Sequence, residues 1–164
     1  MVTGIPLLKR RWGDASSTIA AVLDAGVNVE VANDLDHAQV VELYRAVGWT
    51  AYTNEPDTLR AALSGSSRVV IARRGQRLVG LARVVSDGAS IAYLQDVLVN
   101  PEDQRIGIGT ALVRAALAPY DRVRQKVLLT DDDPAHRVFY EHLGYHDVNE
   151  HPGGSLRAFV RFDD

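Results

Sequence analysis

The patterning of this chain predicts a mixed α/β fold (α+β), antiparallel in its first half and closed by one parallel strand–helix–strand unit. Three observations carry that expectation. Arg68–Arg73, Leu78–Val85 and Ser90–Val99 are apolar runs joined by the short glycine-bearing links Arg74-Gly75-Gln76 and Ser86-Asp87-Gly88-Ala89, so they should pair antiparallel. The third run enters a polar turn holding Gly107 and Gly109, followed by Leu112, Val113, Ala116 and Leu117 at helical spacing and then the apolar Val127–Thr130. Strand, helix, strand in that order makes a parallel crossover.

Residues 1–26 form an extension to a domain of residues 27–164. Within the extension, Asp14–Gly26 could fold as a short helix with Ile19, Val22 and Leu23 on one face and Gly26 past its end. Val27–Ala32 alternates and predicts a first strand. Asn33 or Asp34 is expected to cap a helix carrying Val40, Leu43, Tyr44 and Val47, which Gly48 stops. An aromatic connector, Trp49–Thr53, precedes a second helix over Pro56–Leu63, and Ser64–Ser67 breaks it. Pro119 closes the helix after the glycine turn. Asp133-Pro134 opens the last helix, as cap and first helical residue, and Gly144 ends it. In the tail, Tyr145–Val148 and Leu156–Phe162 alternate loosely and predict a closing strand pair.

With 46% hydrophobic and 24% charged residues over 164 positions, the chain has the make-up of a folded globular domain. A net charge of -3 argues against nucleic acid as the main partner, and the one basic cluster, Lys9-Arg10-Arg11, is too short to change that. Cysteine is absent, so disulfides, thiolate chemistry and cysteine metal sites are excluded. No apolar run approaches the ~20 residues of a membrane span, and no secretory signal is visible, which leaves a cytoplasmic expectation. Sixteen arginines against two lysines point to a GC-rich, bacterial genome.

Glycines at a helix entrance let backbone approach a ligand closely, and the first amides of a helix can face an anion. A pyrophosphate is the expected occupant of this turn. The spacing is not that of a dinucleotide fingerprint, whose third glycine would fall at Leu112, nor of a nucleotide triphosphatase loop, which needs lysine after Gly109. The plain alternative is that Gly107 and Gly109 only permit a turn. Yet Gln104-Arg105-Ile106-Gly107-Ile108-Gly109, after Val97-Leu98-Val99-Asn100-Pro101, resembles the acyl-coenzyme A signature of the GNAT N-acetyltransferases. Downstream, Asp133-Pro134-Ala135-His136-Arg137-Val138-Phe139-Tyr140-Glu141-His142-Leu143-Gly144-Tyr145 is similar to the same family's second block. Asp133 stands where the family often has asparagine, and His136 where a small alanine is usual.

The resemblance implies acetyl-CoA (coenzyme A) as cofactor and a small-molecule or protein amine as acceptor. Its diphosphate would lie on the backbone of Gln104, Arg105, Ile106, Gly107, Ile108, Gly109 and Thr110, and its pantetheine arm on Val97, Leu98 and Val99, with Asp133 and His136 near its path. Tyr140 would protonate the departing thiolate, since a phenol of pKa about 10 stays protonated near neutrality; packing beside Phe139 is the plainer alternative. Asp96, a carboxylate on a strand face expected to hold Ala92, Leu94 and Leu98, is either a base for the amine or a hydrogen-bonded anchor. Gln95 takes the other face unless a bulge shifts the strand. Trp49 and Tyr52 border the acceptor pocket in this family or simply cover a core edge. The five histidines form no ligand pattern, and Asp131-Asp132-Asp133 is a turn feeding a cap, so no metal is expected. Family members often dimerise, and here the unplaced N-terminal segment is the one argument for a homodimer. A non-catalytic acyl-CoA sensor is the rival to the enzyme.

Overall fold

A computed structural model describes residues 22–154 and 156–162. The chain forms two compact units, one whose described residues run from 22 to 129 and a second whose described residues begin at Thr130. Lys9-Arg10-Arg11 and most of the expected first helix lie outside the described residues. Of that helix, residues 22–24 are helical and Gly26 takes a left-handed φ of 71°.

The first unit is built on a sheet of β1 (Val27–Val31), β2 (Arg68–Arg74), β3 (Arg77–Ser86), β4 (Ile91–Val99) and β5 (Gln125–Val127), adjacent in that order. The first four pair antiparallel and β5 runs parallel to β4. Residues directly opposite in an antiparallel ladder share a face. On one face, α1 (His37–Ala46) and α3 (Pro56–Ser64), with the single turn α2 (Thr50–Thr53) between them, bury Val40, Leu43, Tyr44, Leu59 and Leu63 against Val69, Ile71, Leu81 and Leu98. Each such aliphatic side chain contributes about 1.5–3 kcal/mol by leaving water. On the other face, α4 (Ile108–Leu117) buries Ala111, Leu112, Val113 and Ala116. It sits so close that a Cβ on Gly80 would stand 2.9 Å from Leu112 Cδ1 and 3.1 Å from the Leu98 carbonyl oxygen.

Three boundaries differ from expectation for local reasons. Asp36, not Asn33 or Asp34, caps α1: its carboxylate accepts from the amides of Ala38 and Gln39 and from the Gln39 side chain. β5 occupies Gln125–Val127 rather than 127–130, because only these residues align with Ile91–Tyr93. β4 carries a bulge, with Gln95 and Asp96 opposite the single residue Arg83.

The second unit contains α5 (Pro134–His142). Asp133 caps it through the Ala135 amide at 2.7 Å, and Gly144, at φ 85°, ends it. Arg137 bridges Glu141, 2.8 Å away, and Glu150. The expected closing strand pair is not formed among the described residues of this unit. Val148–Glu150 is a 3-10 turn, a lone backbone bond joins Leu156 N–H to the Val148 carbonyl, and Phe159 and Phe162 are exposed. Loose alternation without a ladder to satisfy its amides does not make a strand.

Candidate active site

The stretch from β4 into α4 shows how the sequence builds the glycine turn. Asn100 accepts from the Glu102 amide and sets a 3-10 turn over Pro101–Asp103. Asp103, only 3% exposed, is gripped by Arg74 and Arg77 at 2.9 Å each, which ties the turn to the β2–β3 hairpin. The chain then reverses through left-handed residues, Arg105 at φ 67° and Gly107 at φ 92°. Arg105 is the one such residue other than glycine among those described, a conformation that costs roughly 1 kcal/mol or more and that the clamped turn imposes. Among the described residues, no group accepts from the amides of Gln104 through Thr110. Ile108, Gly109 and Thr110 supply the first-turn amides at the positive end of this ten-residue helix, and the turn Gln104–Gly107 leads into them. The Gln104 side chain turns back and donates to the Val99 carbonyl at 3.0 Å.

β4 presents a second set of backbone groups. The Asn100 amide donates to the Val79 carbonyl at 2.8 Å, so Gly80 and Val99 are a non-hydrogen-bonded pair, as are Ala82 and Val97 two residues on. The amides of Val97 and Val99 thus point away from β3, to the edge where β5 pairs only as far as Tyr93. Leu98 is different: its amide groups belong to the ladder with Leu81, so the backbone role expected of it is not available.

The bulge also changes which side chains share a face. Ala92 and Leu94 oppose Ser86 and Val84, on the α4 side, whereas Leu98 opposes Leu81 on the α1 side. Asp96 joins Leu98, not Ala92 and Leu94, because one extra residue shifts the alternation. There it is fully buried. Its Oδ2 accepts from Tyr44 OH at 2.8 Å and from Arg83 Nε in an ion pair, and Gln95 Nε2 lies 3.4 Å from Oδ1, on the same side. Burial, followed by the neighbouring Asp96 charge, pushes the Tyr44 phenol far above its ordinary range. For Arg83 burial is the largest influence and works downward, but the hydrogen bond and charge of Asp96, joined by Tyr44 and Tyr52, together outweigh it and the guanidinium is raised. Asp96 has the surroundings of an anchor and none of the exposure that a proton acceptor needs.

Trp49 and Tyr52 stack with centroids 5.9 Å apart and both lean on Tyr44, half-buried against the α1 core. Tyr93, at the start of the bulged strand, is raised by burial and then by Tyr52. In the second unit, Tyr140 lies edge-on to Phe139 at 4.9 Å and to Tyr145 at 6.0 Å, and burial pushes its phenol up to about 12. His136 Nδ1 is 3.1 Å from Thr130 Oγ1, and Asp133 is committed to its cap. No group of three or more metal-ligating side chains occurs among the described residues.

Sequence reasoning missed Arg83, Asp103 and the second function of Tyr44. A lone cation inside the apolar run Leu81–Val85 was the available signal, since a buried guanidinium requires a buried anion.

Comparison with known proteins places these features. A Streptococcus pneumoniae acetyltransferase of the GNAT family superposes with a TM-score of 0.70 and 30% identity, over 83% of this chain and 99% of its own. An aminoglycoside acetyltransferase from a soil metagenome, solved with sisomicin, shares the fold at 17% identity and a TM-score of 0.62, over 87% of this chain and 98% of its own. Among curated sequences, FG08082 of Gibberella zeae, which carries an acetyltransferase name, is 36% identical over 78 residues, 46% of this chain. The N-acetyltransferase ycf52 of Pyropia yezoensis, itself uncharacterized, is 25% identical over 111 residues, 65% of this chain. The chain spans 43% and 63% of the length of these two curated relatives. A profile described as the acetyltransferase (GNAT) domain matches residues 31–153. That match takes in the clamped turn, the bulged strand and the last helix, well over half of the sequence, and the chain belongs to the GNAT acetyltransferase family.

Proposed function

We propose that this protein transfers the acetyl group of acetyl-CoA directly to a primary amine of a small molecule or protein, in the cytoplasm of a bacterium. The observation that carries the proposal is the row of amides from Gln104 to Thr110, which donate to nothing among the described residues. A diphosphate has the charge and the acceptor oxygens that such a row requires. Val97 and Val99 offer their outward amides to the extended arm of the coenzyme, as a strand edge does to another strand, and one of them polarises the reacting carbonyl. Asp133 and His136 are proposed as further contacts for the coenzyme, by their position in the second motif. The coenzyme itself supplies an activated thioester and a thiolate leaving group.

Tyr140 is proposed, by its position in the second motif, as the hydrogen-bond donor to that sulfur. With its phenol near 12 and a thiol near 8.5, complete proton transfer is uphill by several units. Tyr140 therefore acts by donating a hydrogen bond to the developing thiolate, and solvent completes the protonation. Asp96 has its charge committed to Arg83, so we assign it to positioning and route the proton of the amine through water. The chain has no cysteine, and transfer is direct, without an acylated thiol on the enzyme.

Titration with acetyl-CoA followed by a thiol-release assay across an amine panel tests the reading. Saturable binding and amine-dependent thiol release are expected. Binding without release on any amine would make the protein an acyl-CoA sensor, and no binding would remove the donor altogether.

A further inference from the structure

The geometry points to Arg83 as a positioning residue for the transfer: its guanidinium, paired to Asp96 across the β4 bulge, fixes the direction of the Val97 amide. The inference rests on the acyl-CoA reading above and adds to it a residue outside both sequence motifs.

A bulge is a register error held in place. If the extra residue moved by one position along β4, Val97 would exchange its outward amide for one in the ladder with β3. The side chains at the bulge prevent this. Arg83 is the residue opposite it, and it bonds Asp96 through Nε while Nη1 reaches the Ala62 carbonyl at 3.5 Å and Ser66 Oγ at 3.4 Å. Tyr44 holds the same carboxylate oxygen from α1. One cation thus ties the irregular point of β4 to β3 and to the end of α3, with 9% of its side chain exposed and none of that of Asp96. Stability does not account for the pair, because well-packed apolar residues of similar volume serve a core as well or better than a buried ion pair. What charge and a planar fork supply, and apolar packing does not, is direction. The direction set here is that of the amide one residue beyond the bulge.

Two variants test this. Arg83→Lys keeps the charge and loses the fork, and Arg83→Met with Asp96→Leu removes both charges without orphaning either. Three readouts separate positioning from structure: the acetyl-CoA dissociation constant by calorimetry, kcat by thiol release, and the Val97 amide resonance in a 1H–15N spectrum with and without coenzyme A. Expected is a dissociation constant within about twofold of wild type, kcat lower by about tenfold or more, and a displaced Val97 resonance whose response to coenzyme A is diminished. Arg83→Lys carries the test if the double variant does not fold. A folded variant with unchanged kcat and an unmoved Val97 resonance overturns the inference and leaves the acyl-CoA reading standing. So does a parallel loss of kcat, coenzyme binding and melting temperature, which is the mark of a purely structural role. Wild-type protein that binds no acetyl-CoA overturns both.

Discussion

Tyr140 and Tyr44 are both tyrosines raised by burial, yet their expected effects on substitution are opposite in kind. On the proposed mechanism Tyr140→Phe would remove a hydrogen-bond donor to the leaving sulfur and little else, so kcat should fall by roughly 100-fold while acetyl-CoA affinity holds. The raised phenol also sets a pH signature: kcat should show no descending limb near pH 10, where an ordinary tyrosine would lose its proton, because Tyr140 keeps it to about 12. A pH–rate profile of wild type checks this. Tyr44→Phe withdraws one of the donors to a buried carboxylate and should cost about 1–3 kcal/mol in a denaturant titration. At this scale the motif residues were legible because each is a local pattern. The Arg83–Asp96–Tyr44 cluster was not, since it joins residues 13 and 52 positions apart and no periodicity announces a long-range ion pair.

Among the elements, the glycine turn and α4 make the most specific demands. Gly107 sits at φ 92°, where a Cβ is strained, so Gly107→Ala should lower stability by about 1 kcal/mol and weaken acetyl-CoA binding together. A thermal melt and a calorimetric titration read the two losses. Gly80→Ala tests the seat of α4: its new methyl meets Leu112 and the Leu98 carbonyl, and overpacking of about 1–3 kcal/mol is expected with the turn itself untouched. The order of strands and helices could be read from apolar spacing and turn residues. Three details could not. The cap moved to Asp36 because its carboxylate takes the amides of Ala38 and Gln39 together with the Gln39 side chain. The bulge escaped because the buried–exposed alternation of β4 continues through it while its register does not. The tail looked like strands because alternation is necessary for a half-buried strand but not sufficient.

For the whole molecule, stability should decline above about pH 10. The phenols of Tyr44, Tyr140 and Tyr145 are all raised by burial, so the folded chain keeps protons that the unfolded chain releases above about 10. Stability then falls as pH rises from there toward about 12, the Tyr140 value, and denaturant midpoints between pH 9 and 12 should track it. Kinetically, a chain without cysteine should give a sequential initial-rate pattern, and wild type incubated with acetyl-CoA alone should release no stoichiometric burst of thiol.

The scarcity of lysine has a consequence if the proposed acyl donor is held here. Of the two lysines, Lys126 has its Nζ 2.8 Å from the Val123 carbonyl, already engaged. Arginine carries the remaining positive charge, and a guanidinium is a poor nucleophile toward thioesters because it stays protonated. Under the proposed chemistry such side chains are insulated from the acyl donor: a protein that would decorate amines carries almost none on its own side chains.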